Sequence, residues 1–231
     1  NHPTSALLKW PATALLAWYD AHARDLPWRI LPAAAKAGTK PDPYRIWLSE
    51  IMLQQTNVTT VRPYYEKFLT LFPNVQALAA APDAQVMAAW AGLGYYSRAR
   101  NLVKCARTLV ADYHGEFPNT EAALLSLPGI GPYTAAAIAA IAFNQPAAPV
   151  DGNIERVLSR LYKLQTPMPA LKAEVKQANA KLVPKDRPGD FAQAMMDLGA
   201  TLCTRKRPNC LICPWREPCL ARQAGIEETL P

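Results

Sequence analysis

The sequence predicts an all-α fold, and three observations carry this. No segment keeps the sustained apolar–polar alternation of a half-buried strand. Apolar residues recur instead at helical spacing, as in Val61, Tyr65, Phe68 and Phe72. Proline and glycine interrupt these stripes at short intervals, so many short helices must pack together.

Taken in order, Leu15, Leu16, Trp18 and Tyr19 form a short apolar helix after Pro11, ended by Leu26-Pro27-Trp28-Arg29. Residues Ile30 to Asp42 read as loop. Tyr44 to Thr56 reads as a helix, almost wholly apolar around Glu50. The Val61 stripe follows. Asp83 can cap a helix bearing Val86, Met87 and Trp90, which Gly92-Leu93-Gly94 breaks. Leu102, Ala106, Leu109 and Tyr113 mark another helix. Cys105 lies inside it and reads as packing, since free cysteine behaves as a small buried hydrophobe. Leu171 to Val183 and Phe191 to Leu202 are the last long helices.

Between them lies the stretch that organises the chain, Leu127 to Asn153. The pair Gly129 and Gly131 permits a tight turn, and Pro132 suits the first helical position. Amides of such a turn and of the following helix start would point outward together, an anion site suited to phosphate. About twenty residues on, a loop delivers Asp151 to the start of a helix from Ile154 to Tyr162. In isolation, an ordinary helix turn and a capping aspartate explain these residues equally well.

The chain has 231 residues, 50% of them hydrophobic and 19% charged, enough for a sizeable core and too little charge for disorder. Net charge is +7, with pI near 9.2, which favours a polyanionic partner without requiring one. No apolar run approaches the roughly 20 residues that span a bilayer, and the first residues lack a signal-peptide pattern, so the protein reads as cytosolic. His2, His22 and His114 are scattered, without metal-like partners. Cys203, Cys210, Cys213 and Cys219, by contrast, give C-x6-C-x2-C-x5-C. Four cysteines this close in a reducing compartment point to metal, and only one pair has zinc-knuckle spacing, which favours a [4Fe–4S] cluster over structural zinc. Arg205, Lys206 and Arg207 lie between the first two ligands, where a pinned loop would present them to phosphates; a solvated charged loop is the plainer alternative.

Together these residues resemble the helix-hairpin-helix DNA glycosylases that carry a [4Fe–4S] cluster, and among them the MutY-type adenine DNA glycosylases. The resemblance runs from Leu26 to Cys219. It rests on Leu48-Ser49-Glu50-Ile51-Met52-Leu53-Gln54-Gln55-Thr56, Gly92-Leu93-Gly94-Tyr95-Tyr96, the Leu127–Thr134 hairpin, Val150-Asp151-Gly152-Asn153 and the cysteine spacing. Endonuclease III shares the hairpin and cluster but differs around Glu50 and has lysine where this chain has Tyr133.

The resemblance implies a two-lobed fold: a six-helix lobe over residues 30–142, and a discontinuous iron–sulfur lobe from residues 1–29 and 143–231. It implies a monomeric, nucleoid-associated bacterial enzyme that removes adenine mispaired with 8-oxoguanine from double-stranded DNA. Breaking an N-glycosidic bond needs a protonated leaving base and a stabilised sugar cation, tasks that glycoside hydrolases divide between two carboxyls. Glu50, on its apolar helix, is a candidate for desolvation that keeps it protonated; by resemblance it protonates adenine N7. Asp151 is expected to stay ionised at a helix start; by resemblance it stabilises the oxocarbenium-like centre, supported by Tyr133 and Asn153. The adenine must be flipped out of the duplex. Gln55 and Tyr95 match the family's wedge residues, and Leu26, Trp28, Arg29 and Gln193 match its adenine pocket. For Trp28 and Tyr95 the plainer alternative is a core aromatic.

Two departures carry expectations of their own. The loop Ile30–Asp42 is longer than the family segment, so base preference or flipping kinetics could differ. The chain also ends at Pro231, where the family typically continues into a domain that helps recognise 8-oxoguanine, which implies weaker discrimination from guanine. The rival functions are a glycosylase for another mispaired base such as thymine opposite guanine, a non-catalytic lesion-binding protein, and a redox carrier. Glu50 and Asp151 argue against the binder; the hairpin and basic loop argue against the carrier.

Overall fold

The computed structural model describes residues 5–231, with side chains from Pro11 onward. His2 lies outside them. The helices are α1 (Ser5–His22), α2 (Pro32–Lys36), α3 (Pro43–Leu53), α4 (Val58–Leu71), α5 (Val75–Ala80), α6 (Asp83–Trp90) and α7 (Tyr96–Tyr113). There follow α8 (Glu121–Leu125), α9 (Pro132–Phe143), α10 (Gly152–Leu161), α11 (Ala170–Leu182), α12 (Pro188–Thr201) and α13 (Leu220–Gln223), with short 3-10 turns at Cys210–Ile212 and Glu227–Thr229. Among the described residues there is no strand, as the periodicity predicts.

The chain forms two compact units. One holds the described residues up to Arg24, Leu31–Thr39 and Asn144–Pro231; the other holds Asp25–Ile30 and Lys40–Phe143. The second unit carries α3 to α9. Pro82 splits what would be one helix into α5 and α6, because the residue before a proline is pushed out of helical geometry, and Ala81 is extended (φ −70°, ψ 142°). Its core stacks Trp47, Tyr65, Phe68, Phe72 and Trp90, each essentially without exposure. Burying one such side chain contributes roughly 1.5–3 kcal/mol. The alanine-rich α9 packs against both α3 and α8, since small side chains let helices approach closely. In the first unit α10 lies against α11, α12 and α13, and α1 against α11 and α12. Ile154, Leu158, Val175, Phe191 and Trp215 fill that core.

Short polar side chains start five of these helices. Asp42 caps α3, Asn57 caps α4, Asn74 caps α5, Thr120 caps α8 and Asp151 caps α10, each accepting from an amide two or three residues on.

Four local expectations change. Pro11 lies inside α1 and does not precede it. The segment Ile30–Asp42 contains α2: Pro32 at its first position and three alanines favour a helical turn even though none of its residues is buried. Pro82, not Asp83, is the N-cap of α6, and the Asp83 carboxylate instead accepts from Arg107 at 2.6 Å. In the hairpin only Gly129 has a positive φ (+74°), and a Cβ there would lie 2.8 Å from that of Asn101; Gly131 needs no such freedom.

Candidate functional site

In the second unit, α3 is buried on nearly every side, from Tyr44 to Met52, as its apolar sequence dictates. Glu50 sits near its end with 8% exposure. The helix stops at Gln54, and Gln55 then takes the left-handed conformation (φ 57°), exposed. Tyr95, also left-handed (φ 50°), is 60% exposed at the N-cap of α7, so it is no core aromatic. Arg98 Nη1 donates to the carbonyl oxygens of Ile51, Met52 and Gln54, at 2.9, 3.1 and 2.6 Å. Gln54 Nε2 donates in turn to Thr134 Oγ1 at 3.3 Å, on the second helix of the hairpin beside Tyr133. The end of the Glu50 helix, the Gly92–Tyr95 turn and the hairpin are therefore joined through polar side chains. Tyr133 is partly exposed at the first turn of α9.

Leu26 and Trp28 are buried in the same unit, and Trp28 meets Tyr65 edge-on at 5.2 Å. Arg29, partly exposed, closes a turn by donating its backbone N–H to the carbonyl of Leu26 at 2.9 Å.

In the first unit, the Asp151 carboxylate accepts from the Ile154 amide at 2.7 Å. The amides at this helix start favour the anion, and burial works against them. Burial raises its pKa above the ordinary carboxyl value, and the Ile154 and Asn153 amides and Arg156 offset only part of that. Arg156 Nη2 reaches Asn153 Oδ1 at 2.9 Å and the Gly199 carbonyl at 2.6 Å, while its Nε donates to the Cys203 carbonyl at 2.9 Å. Asn179, buried, holds the Pro149 carbonyl at 3.0 Å in the loop that leads to Asp151. Gln193 is buried on α12, its amide nitrogen donating to the Gly189 carbonyl at 3.1 Å.

The four cysteines Cys203, Cys210, Cys213 and Cys219 are free, partly buried, and line one cavity together with Arg160 and Arg222. Arg160, 1% exposed, donates to Cys203 Sγ at 3.5 Å and to the carbonyls of Thr204 and Arg205 at 2.7 and 3.1 Å. The Trp215 amide donates to Cys213 Sγ at 3.4 Å. Burial pushes the Cys213 thiol up to about 12 and raises those of Cys203 and Cys210. Among the described residues, no three His, Cys, Asp or Glu side chains converge on a single metal ion. Arg205, Lys206 and Arg207 are exposed on the loop whose carbonyls Arg160 holds. The Arg207 N–H donates to the Glu228 carboxylate.

Residues 48–185 match the family model described as HhH-GPD superfamily base excision DNA repair protein. The chain belongs to that superfamily. Along 90% of its length this HhH-GPD chain is 47% identical to a mouse protein named adenine DNA glycosylase, of which it spans 41%. It is 40% identical to the adenine DNA glycosylase of Mycolicibacterium smegmatis, covering 92% of this chain and 69% of that protein. A solved thermostable thymine-DNA glycosylase superposes with a TM-score of 0.81 at 28% identity, over 96% of this chain and 99% of that one.

Three arginines of this HhH-GPD chain escaped the sequence reading. Arg156 and Arg160 stand one turn apart on α10, a spacing that pattern alone assigns to a solvated face. Arg98 follows Tyr95 by three residues, which puts the two on one helix face; that spacing was the available signal.

Proposed function

We propose that the chain carries the activity of a monofunctional DNA glycosylase in base excision repair, hydrolysing the N-glycosidic bond of adenine mispaired with 8-oxoguanine or guanine. The observation that carries this reading is the identity of 40–47% to proteins named adenine DNA glycosylase, along nine-tenths of the chain. Both carboxyls that the chemistry needs lie in that stretch.

The substrate is double-stranded DNA with the adenine flipped out, and Gln55 and Tyr95 occupy the space it leaves. Leu26, Trp28, Arg29 and Gln193 receive the base. Glu50 gives its proton to adenine N7, so the bond from the sugar C1′ to N9 breaks with the electron pair leaving on the base. The Asp151 anion stabilises the positive charge left on the sugar, with Tyr133 and Asn153 in support. Water adds to C1′ and an intact abasic site remains. The hairpin amides at Gly129 and Gly131 and the cations Arg205, Lys206 and Arg207 hold phosphates.

Cys203, Cys210, Cys213 and Cys219 suit a [4Fe–4S] cluster: each thiolate of such a cluster binds its own iron, and four free sulfurs share one cavity with N–H donors aimed at two of them. When bound, the cluster would pin the Arg205–Arg207 loop at both ends. The enzyme works as a monomer on nucleoid DNA in the bacterial cytoplasm, and no helix among the described residues is long and apolar enough to cross a membrane.

Single-turnover base release from duplexes with adenine opposite 8-oxoguanine, guanine or thymine tests the activity. Release is expected opposite 8-oxoguanine and guanine and not opposite thymine. Release of thymine from a thymine–guanine duplex, with adenine left in place, would favour the substrate named for the structural neighbour.

A further inference from the structure

Three features of the second unit meet on one side chain. The Arg98 guanidinium gathers three carbonyl oxygens from the end of α3, where a helix leaves its acceptors unpaired and partly negative. The same group lies over the rings of Trp90 and Tyr95, 5.2 and 5.4 Å from their centroids. Trp90 is fixed by its own bond to the Gly94 carbonyl at 2.9 Å. A small cavity bounded by Arg98, Gln54, Pro128 and Gly129 sets the guanidinium beside the hairpin turn. Gln55 and Tyr95 are both non-glycine residues in left-handed backbone, a conformation that persists only where the surroundings over-determine it. Arg98 is the contact shared by the two turns that carry them.

We propose that Arg98 is a positioning residue that joins the Gln55 turn and the Tyr95 turn into one rigid wedge and sets it against the hairpin. The inference rests on the reading that this wedge enters DNA beside the mispair. The three carbonyl bonds all leave from Nη1, so what lysine cannot reproduce is a flat cation that makes them while lying against the Trp90 and Tyr95 rings.

The test is a double-mutant cycle read by 2-aminopurine placed next to the target adenine in an adenine–8-oxoguanine duplex, which brightens as its neighbour unstacks. Arg98→Lys keeps the charge and should lower the unstacking equilibrium about tenfold, whereas in a Gln55→Ala/Tyr95→Ala background it should cost less than about twofold. The salt slope for matched duplex should not change, since no phosphate contact is lost. An equal cost in both backgrounds, or an Arg98→Lys protein that unstacks DNA as well as the parent does, overturns the proposal. A second measurement needs no substitution and covers a variant that does not fold. On adding that duplex to the parent protein, amides 54–56 and 92–95 should gain protection from hydrogen exchange together; protection at different DNA concentrations overturns the proposal. Neither readout depends on base release. A parent that unstacks the duplex but frees no adenine refutes the proposed activity and leaves Arg98 in its role. A parent that frees adenine without the coupling does the reverse.

Discussion

In the proposed mechanism Asp151 acts as an anion beside a sugar cation; burial raises its pKa, and the Ile154 and Asn153 amides and Arg156 oppose the rise. Protonation therefore switches off the stabilising charge at a higher pH than for an ordinary aspartate, near 3.9. The acid limb of the single-turnover rate should lie above that value, and Arg156→Gln should move it higher still; a limb that does not move on this substitution would detach Arg156 from the carboxylate. Glu50→Gln should keep substrate binding yet lose base release by roughly 10²–10⁴, the usual scale of general-acid catalysis, and a variant within a few-fold of the parent would remove Glu50 from its role. In the proposed mechanism Tyr133 leaves the abasic strand intact, because a phenol cannot form the imine that a lysine amine at that position could form with the opened sugar. Borohydride should trap no adduct with the parent protein, and Tyr133→Lys should yield one.

Among the elements, the contact of α10 with α12 governs how Asp151 and Asn153 are held. A Cβ on Gly199 would lie 2.8 Å from that of Asn153 and 3.1 Å from its carbonyl oxygen, so backbone would have to move. Gly199→Ala should cost about 1–3 kcal/mol in a denaturant melt, as overpacking does, and lower base release further than that loss of folded protein explains. Equal activity per folded molecule would show that the start of α10 tolerates displacement. The helices themselves were legible because their signals are local: Asp151 three residues before Ile154, a stripe from Val61 to Phe72. Two points that the pattern could not supply involve partners distant in sequence. Asp83 has a nearer role as a cap, but Arg107 takes its carboxylate. Arg160 reads as an exposed cation on an amphipathic helix until the Thr204–Arg205 carbonyls, over forty residues away, give its guanidinium a reason to be buried. Glu50 and the four cysteines stood out at once because their residue types are costly or unusual where the pattern puts them.

For the whole molecule, the net charge of +7 should reach DNA chiefly through exposed cations. Replacing Arg205, Lys206 and Arg207 with alanine should weaken matched and mismatched duplexes alike and flatten the salt dependence by up to about three phosphate equivalents; a loss confined to mismatched DNA would contradict a backbone contact. Purified anaerobically, the protein should hold about four irons per chain, and Cys105→Ala should keep them, since that thiol is fully buried on α7 and pushed up to about 12; zinc without iron would exclude the cluster. The indole N–H of Trp215 donates to the Pro11 carbonyl at 2.6 Å, and Arg24 grips Asp197, so α1 completes its unit only with partners some 170 to 200 residues further along the chain. During translation, at roughly 5–20 residues per second, α1 waits on the order of ten seconds or more with its apolar face unsatisfied. The unit ending at Phe143 has all of its residues long before then. Chains stalled once Phe143 has left the ribosome, but before Trp215 has, should therefore resist protease over residues 40–143 while α1 is still cut, and the ribosome sets the order in which the two halves of the molecule come into being.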